Sequence, residues 1–376
     1  MKFRKDKRRI KFNISKNKEK KRNKKNKRNK RYKSFKKGNT FIIIKILSIL
    51  ILSFIYYATL KFFKIKKIVI QVDISQSKHG KGGPIVLQKG LSKVLPYETK
   101  YCKFIPIDGI YPNDTKNIDY FLITLPSIDE KTYNKWIKIK RINYLLLGPN
   151  FVPINWFKFP NKNYWYEFKF REILSTIKGV VVHSNRVRDH LMIRSNTQDL
   201  KNKFILSRAC SYILPNDIKP FQERENDIIL FQKYKDSNHR KQGEQLLSLL
   251  KGTNKKIKLI NYGHYKREDE FLLANNSKFI IYFSFYDTGA IALKEIQNYG
   301  VIAFTLQEDF VINKKTCYYI PELEFEDITS AFNKIIKIID EISNKNPDAM
   351  KIAKINQNIN RCERALDDLC DGVRKN

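Results

Sequence analysis

Residues 286–300 read Y-D-T-G-A-I-A-L-K-E-I-Q-N-Y-G, directly after the apolar run F-I-I-Y-F-S-F at 279–285. A continuous apolar run of this kind reads as a strand buried on both faces. Thr288, Gly289 and Ala290 then lead into a helix that carries Glu295. Strand, short loop and helix in that order make one step of a parallel α/β sheet. The free amides at such a helix start suit a phosphate. Gly289 has no side chain, so an anion can approach the backbone there. Asp287 and Glu295 lie eight positions apart, about 12 Å of rise, so one carboxylate stands at the mouth and another further down. The same residues also read as an N-capping Asp287 and a surface Glu295.

The rhythm extends to both sides. Upstream, strands are expected at 68–74, 103–107, 120–124, 144–147 and 180–183, with helices near 85–95, 129–140 and 164–177. Leu214–Asn226 breaks the pattern with Pro215 and Pro220 among polar residues. The alternation then restarts with strands at 228–231, 257–261, 279–283 and 301–305 and helices at 239–250, 267–274, 290–299 and 326–342. Such alternation implies mostly parallel sheets with helices on both faces. The expected organisation is a tail over 1–40, an apolar anchor over 41–63, one α/β domain over 64–215, a second over 216–342 and a helical segment over 343–376.

The stretch from Asp287 to Glu295 resembles the Glu-x7-Glu nucleotide-sugar motif of retaining GT-B glycosyltransferases of the group 1 and group 4 type, with Asp at the first position. The likeness covers roughly 225–310 well and 68–200 loosely. It implies the GT-B fold: two doubly wound Rossmann-like domains facing a cleft, here preceded by a disordered basic tail and one transmembrane helix. It implies that Asp287 contacts sugar hydroxyls and Glu295 the ribose, while the amides of Thr288, Gly289 and Ala290 hold the diphosphate. In F-Q-K-Y-K-D-S-N-H-R-K-Q-G, residues 231–243, Lys233 fits the family's first diphosphate cation and Arg240 or Lys241 the second. Fixed cations there would stabilise charge on a leaving phosphate without a metal. The plain alternative is a solvated lysine-rich loop.

The glycine loop at 80–84, with Gly82 and Gly83, looks like the loop that faces the donor in these enzymes. It does not match G-x-G-x-x-G, which counts against a dinucleotide dehydrogenase. Tyr262 and Gly263 follow a strand and are placed over the nucleotide base, with Tyr265 as a further stacking ring. His183, in V-V-V-H-S-N-R, stands where it reaches the sugar or simply closes a strand end. The aromatic loop Gly148–Pro153, with Trp156 and Trp165 beyond, shapes an acceptor pocket or packs a long loop. No Asp-x-Asp stands at a strand end, and neither a P-loop nor a nucleophile elbow is present.

The 376 residues carry a formal charge of +37, unevenly spread. Residues 1–38 hold 21 Lys and Arg against two acids, and the rest 53 against 35. Such a tail cannot bury a core and is expected to be disordered. Phe41–Leu60 is apolar apart from Lys45 and a few hydroxyls. About twenty helical residues span the hydrocarbon layer. A cleaved signal peptide fits less well, because no small-x-small site follows; a buried core helix is the other alternative. The ten basic residues of Arg22–Lys37 keep that flank cytoplasmic. The expectation is therefore a single-pass type II protein of the Golgi or ER with its domains lumenal. Asn113-Asp114-Thr115 and Asn275-Asn276-Ser277 would then be glycosylation acceptors. Cys362 and Cys370 are near enough for a bridge in an oxidising compartment, or remain two thiols on one helix.

The expected function is transfer of a sugar from a UDP- or GDP-linked donor, used as substrate and with no cofactor, to a hydroxyl on a glycan, lipid or protein acceptor. Retention of configuration and metal independence follow from the resemblance, although an inverting GT-B enzyme remains open. The membrane bilayer is the other expected partner, and no nucleic-acid partner is expected. Two rivals stand beside this: an inactive GT-B-like binding or scaffold protein, and a membrane-tethered nucleic-acid-binding protein worked by the tail.

Overall fold

The computed structural model describes residues 26, 28, 45–54, 66–74, 83–108, 118–124, 143–147, 171–172, 174–233, 237–284, 287, 289–311, 313–324 and 327–375. Residues 67–376 form one compact unit. It contains two parallel sheets, one in each of two lobes.

The first lobe carries β1 (Ile68–Asp73), α1 (Gly83–Val94), β2 (Tyr97–Glu98), β3 (Cys102–Ile107), β4 (Tyr120–Thr124), β5 (Asn143–Leu147), β6 (Gly179–Val182), α2 (Asn185–Ser195) and β7 (Phe204–Leu206). Its strand order is β2-β3-β1-β4-β5-β6-β7, parallel throughout except for β2 against β3. The second carries β8 (Asn226–Lys233), α3 (Ser237–Lys251), β9 (Ile257–Asn261), α4 (Arg267–Asn275), β10 (Ser277–Ser284), α5 (Ile291–Gln297), β11 (Ile302–Thr305) and β12 (Cys317–Tyr319). Its order is β12-β11-β10-β8-β9, all parallel. A short α6 (Pro321–Glu324) and a long α7 (Ile328–Ser343) follow, then α8 (Ala349–Asn360) and α9 (Cys362–Lys375).

Hydrophobic burial explains the centre of each sheet. In β10 the side chains of Phe279 to Phe283 are all fully buried, as a strand flanked by neighbours and covered on both faces requires. One face packs with Ile228, Leu230, Leu246 and Ile335, the other with Ile229, Phe231, Leu293 and Ala303. The helix α7 supplies the apolar stripe Ile328, Ala331, Ile335 and Ile339 at helical spacing. Asp327 caps it by accepting from the Ser330 amide.

Both lobes step out to one side after their first strand and then to the other. In the second lobe, β9 lies on one side of β8 and β10 on the other. The carboxyl ends of β8 and β10 therefore flank a topological switch point, where open α/β sheets bind ligands.

The chain does not stay in the second lobe. After α7 it turns back, and α9 packs on the first sheet with its buried face of Cys362, Ala365, Leu366, Leu369, Cys370 and Val373. Two disulfides hold it there, Cys102–Cys370 and Cys210–Cys362. The expectation for Cys362 and Cys370 is thus corrected. Two helical turns separate them by about 12 Å, too far for a bridge, and each is bonded elsewhere. Cys317 remains a free, buried thiol.

Residues 45–54 are helical, and Ile46, Leu47, Ile49 and Phe54 are 51–73 % exposed. Among the described residues no helix is long and apolar enough to cross a membrane. The expected anchor over 41–63 extends past the described residues on both sides, and the tail over 1–40 lies outside them apart from positions 26 and 28. Also outside are Asn113, the expected helix at 129–140, the loop at 148–153, Trp156 and Trp165. Asn275 is described and engaged: its amide accepts from the Lys219 N–H and donates to the Asp217 carbonyl, and Ser277 of the same sequon is fully buried. In this folded structure it is not an open glycan acceptor.

Candidate functional site

The switch point of the second sheet gathers charge. Lys233 ends β8 and pairs in register with Ser284 at the end of β10. Three residues beyond Ser284, the Asp287 carboxylate turns back, and its Oδ2 lies 3.3 Å from Lys233 Nζ. Tyr282 Oη donates to the same oxygen. Oδ1 accepts from the amides of Ala290 at 3.1 Å and Gly289 at 3.4 Å. Burial pushes the Asp287 carboxyl up, but Lys233, the Tyr282 hydroxyl and the Ala290 amide outweigh that and leave it below the usual carboxylate value. Lys233 also stands 4.4 Å above the centre of the Tyr262 ring, which is still 44 % exposed.

This geometry corrects the expected phosphate cradle. The amides of Gly289 and Ala290 face Asp287 itself. Ala290 is left-handed (φ 46°), and α5 is only seven residues long. Asp287 is neither the open carboxylate nor the N-cap that the sequence suggested: Ala290 holds the N-cap position with no side-chain cap bond, and Asp287 folds back onto the loop amides before the helix. Thr288 lies outside the described residues.

Glu295 is neither open nor on the surface. It is buried, and Arg267, the first residue of α4, donates to its Oε1. Burial raises the Glu295 carboxyl to about 7 against the lowering effect of Arg267. One turn along α4, Glu270 is 98 % buried, on a relative exposure of 2 %. Burial and then the neighbouring Glu295 push it up to about 8. Tyr265 stacks edge-on against Phe231, 6.0 Å between ring centres. That ring is partly buried and packs against the core of the second sheet.

The same corner meets the first lobe. A Cβ at Gly289 would lie 2.7 Å from the Cβ of Ala209 and 3.4 Å from the His183 ring. Glycine is required here by the close approach of the lobes. Nδ1 of His183 is 2.6 Å from the Ser207 carbonyl, which can only accept, so Nδ1 carries the proton and Nε2 the lone pair. Nε2 is buried with no partner among the described residues. Burial lowers this imidazole to about 4, so it is neutral at physiological pH. From α5, Lys294 donates to the Ala209 carbonyl and Asn298 Nδ2 to the Ile213 carbonyl. Arg186 at the start of α2 donates its amide to Asp309.

Of the expected residues, Lys233, Asp287 and Tyr262 converge, and Gly263 makes the adjoining turn at φ +85°. Gly289 and Ala290 adjoin them. Glu295 lies behind, tied to Arg267. Arg240 and Lys241 are exposed on the first turns of α3. Gly83 opens α1, and Gly82 lies outside the described residues. Sequence reading did not single out Tyr282, Arg267, Glu270 or Lys294. Arg267 and Glu270 were legible only as a helix start, and Tyr282 only as one more apolar strand residue. Among the described residues no three His, Cys, Asp or Glu side chains group as metal ligands.

No family model matches the sequence, and no curated protein matches it. Solved structures resemble it in fold. Sucrose-phosphate synthase from Thermosynechococcus elongatus matches with a TM-score of 0.53 at 11 % identity, over 82 % of this chain and 99 % of that one. The lipopolysaccharide outer core galactosyltransferase WaaB gives 0.47 at 11 %, over 82 % and 99 %. A variant of S. aureus TarM in complex with fondaparinux, alpha-GlcNAc-glycerol and UDP gives 0.46 at 13 %, over 68 % of this chain. This chain spans 55 % of the length of that TarM. These neighbours are GT-B glycosyltransferases. On the likeness to sucrose-phosphate synthase, the two-lobed α/β architecture with parallel sheets is theirs.

Proposed function

We propose that this chain is a glycosyltransferase that moves a sugar from a nucleoside-diphosphate sugar, UDP- or GDP-linked, to a hydroxyl acceptor. The observation that carries the reading is the convergence of Lys233, Asp287 and Tyr262 at the switch point between β8 and β10. An anionic leaving group with a stacking base suits a fixed cation beside an exposed aromatic ring. The fold alone does not select this activity.

In this reading Lys233 meets the diphosphate, with Arg240 or Lys241 as a second cation from α3. The departing phosphate needs no metal where fixed cations take up its charge. Tyr262 stacks on the base. Asp287 holds Lys233 and the Gly289–Ala290 backbone in place, and Glu295 orients the donor from behind Arg267. Positioning of this kind supplies much of the rate gain in transfer between two bound reactants. Retention of configuration is part of the proposal.

The chain is further proposed to be a type II membrane protein of the Golgi or ER, anchored through the exposed apolar helix at 45–54 and its flanks. Two buried disulfides support an oxidising compartment for the lobes. Glycan, lipid or protein acceptors suit that setting.

A second reading is a GT-B-like binding protein without activity. It is favoured by one specific observation: both oxygens of Asp287 are already engaged, and Glu295 is held by Arg267. Screening the detergent-solubilised full chain against UDP- and GDP-sugars by thermal shift and turnover separates the two. Transfer is expected from one donor class, with the product anomer read by NMR. Glu295→Ala is expected to lower turnover at least about tenfold, or about 1.4 kcal/mol in barrier. Nucleotide binding without turnover against any acceptor class would favour the second reading. Binding to none of the donors would sink the first.

A further inference from the structure

The segment Ser207–Ile213 joins the two lobes and is gripped from three sides. Lys294 and Asn298 bond its carbonyls from α5. The Ser211 amide donates to the Asn360 carbonyl at the end of α8. Ser207 Oγ donates to the Ala365 carbonyl in α9, and Cys210 is bonded to Cys362, the first residue of α9.

The helices α8 and α9 belong to different lobes. In α8, Asn356 donates to the Gln297 carbonyl and accepts from Thr316, and Asn360 donates to Asn298. Those partners are all in the second lobe. In α9, Cys370 is bonded to Cys102 on β3, Asp367 accepts from Tyr97, and Asp368 pairs with Arg208. Those partners are in or border the first lobe. Only Arg361 lies between the two helices. The chain thus crosses from lobe to lobe twice, and the second crossing is covalently tied to the first.

Close packing leaves no slack at the tie. A Cβ at Gly90 of α1 would stand 2.7 Å from Cys362 Sγ, and one at Gly372 of α9 would stand 2.3 Å from Ile205. All four bonded cysteines are at most 2 % exposed.

We propose that α8–α9 is a redox-set strap, in which the Cys210–Cys362 bond locks the second lobe against the first and the Cys102–Cys370 bond keeps the far end of α9 on the first sheet. The two bonds have separate tasks. Cys210–Cys362 lies at the junction of the two crossings, so opening it loosens Ser207–Ile213, which carries the carbonyls that α5 holds. Cys102–Cys370 lies eight residues further along α9, so opening it frays the end of that helix. The co-reactant is a dithiol. Each disulfide takes two electrons and two protons from one dithiol, giving two cysteine thiols while the dithiol closes to its own disulfide.

The test uses the full chain in detergent micelles. Alkylation after denaturation, without prior reduction, is expected to find one thiol, Cys317; three or five would overturn the pairing. Hydrogen exchange is then measured on wild type and on two double variants. Cys210→Ser/Cys362→Ser is expected to speed exchange at least tenfold at the Ser211 amide and in the first turns of α9. Cys102→Ser/Cys370→Ser is expected to speed it only in the last two turns of α9. Equal patterns in the two variants, or wild-type exchange at Ser211 without its disulfide, would refute the division of tasks. If a double variant fails to fold, dithiothreitol titration of folded wild type gives the same readout, because the region loosened can be matched to the bond opened. Loss of protection everywhere at once would reject the strap. Neither readout needs a nucleotide, so the outcome stands apart from the transferase reading.

Discussion

Lys294 Nζ, on the helix that follows Gly289, reaches across to the segment joining the lobes and donates to the Ala209 carbonyl at 2.5 Å. Its neighbour in sequence, Glu295, faces the other way and meets Arg267. One helix therefore holds the joining segment with one residue and closes the back of the candidate site with the next.

The buried Lys294 ammonium sets a pH dependence. Burial, then the nearby Arg208 charge, lower it to about 7 from 10.5, against the pull of Asp287 and Asp368. Below pH 7 the group is charged in both folded and unfolded chains, and the penalty of burying it is full. From pH 7 toward 10 the unfolded chain binds more protons, so the wild type gains stability. Relative to Lys294→Met, the Tm of the wild type is expected to improve between pH 7 and 9. A Tm difference that is flat across that range would show that the ammonium is not held as the structure places it.

Glu270 and Glu295 run the other way. Their folded values, raised to about 8 and about 7, lie above the usual 4.5. Their contribution is fully present below pH 4.5 and is lost as pH rises toward 8. Glu270→Gln removes a carboxylate that burial disfavours. It is expected to raise Tm by about 2–4 °C at pH 8, the shift typical of ~1 kcal/mol in a larger domain, and to change little at pH 5. Thermal unfolding at the two pH values checks it.

Gly289→Ala places a methyl 2.7 Å from the Ala209 Cβ. Overpacking of this kind costs about 1–3 kcal/mol. Removing the opposing methyl with Ala209→Gly is expected to restore part of the loss in the double variant. Additive losses in urea unfolding would mean that the two residues do not touch.

Lys233 and Asp287 are both largely buried, at 11 % and 14 % side-chain exposure. Lys233→Met leaves the Asp287 carboxylate without its cation, which typically destabilises a buried pair by about 3–5 kcal/mol. Lys233→Met/Asp287→Asn is expected to be milder than the sum of the single changes, with a coupling of about 1–3 kcal/mol. Independent effects in a double-mutant cycle would remove the ion pair from the account of this site.

Much of the architecture is legible in the sequence because buried parallel strands announce themselves. The expected strand at 120–124 matches β4, 257–261 matches β9, and 279–283 lies inside β10. Short strands were less visible. Phe204–Leu206 and Cys317–Tyr319 are three residues each, too brief for alternation to register. The path of α9 was not legible, because its apolar face fits any sheet and its cysteines do not name their partners. In the candidate site, the spacing of Asp287 and Glu295 was legible as a strand, loop and helix step. Their partners were hidden, since Tyr282 and Arg267 come from elements whose register only the folded sheet defines. The open phosphate cradle failed because the short Asp287 side chain bonds the loop amides of Gly289 and Ala290 itself.

The ribosome releases α9 only after every strand it covers. Part of the first sheet's inner face, already packed with Leu87 and Leu91 of α1, therefore waits for its last cover while the whole second lobe is made. Any truncation ahead of Cys362 would leave that face permanently unfinished, however complete its own strands.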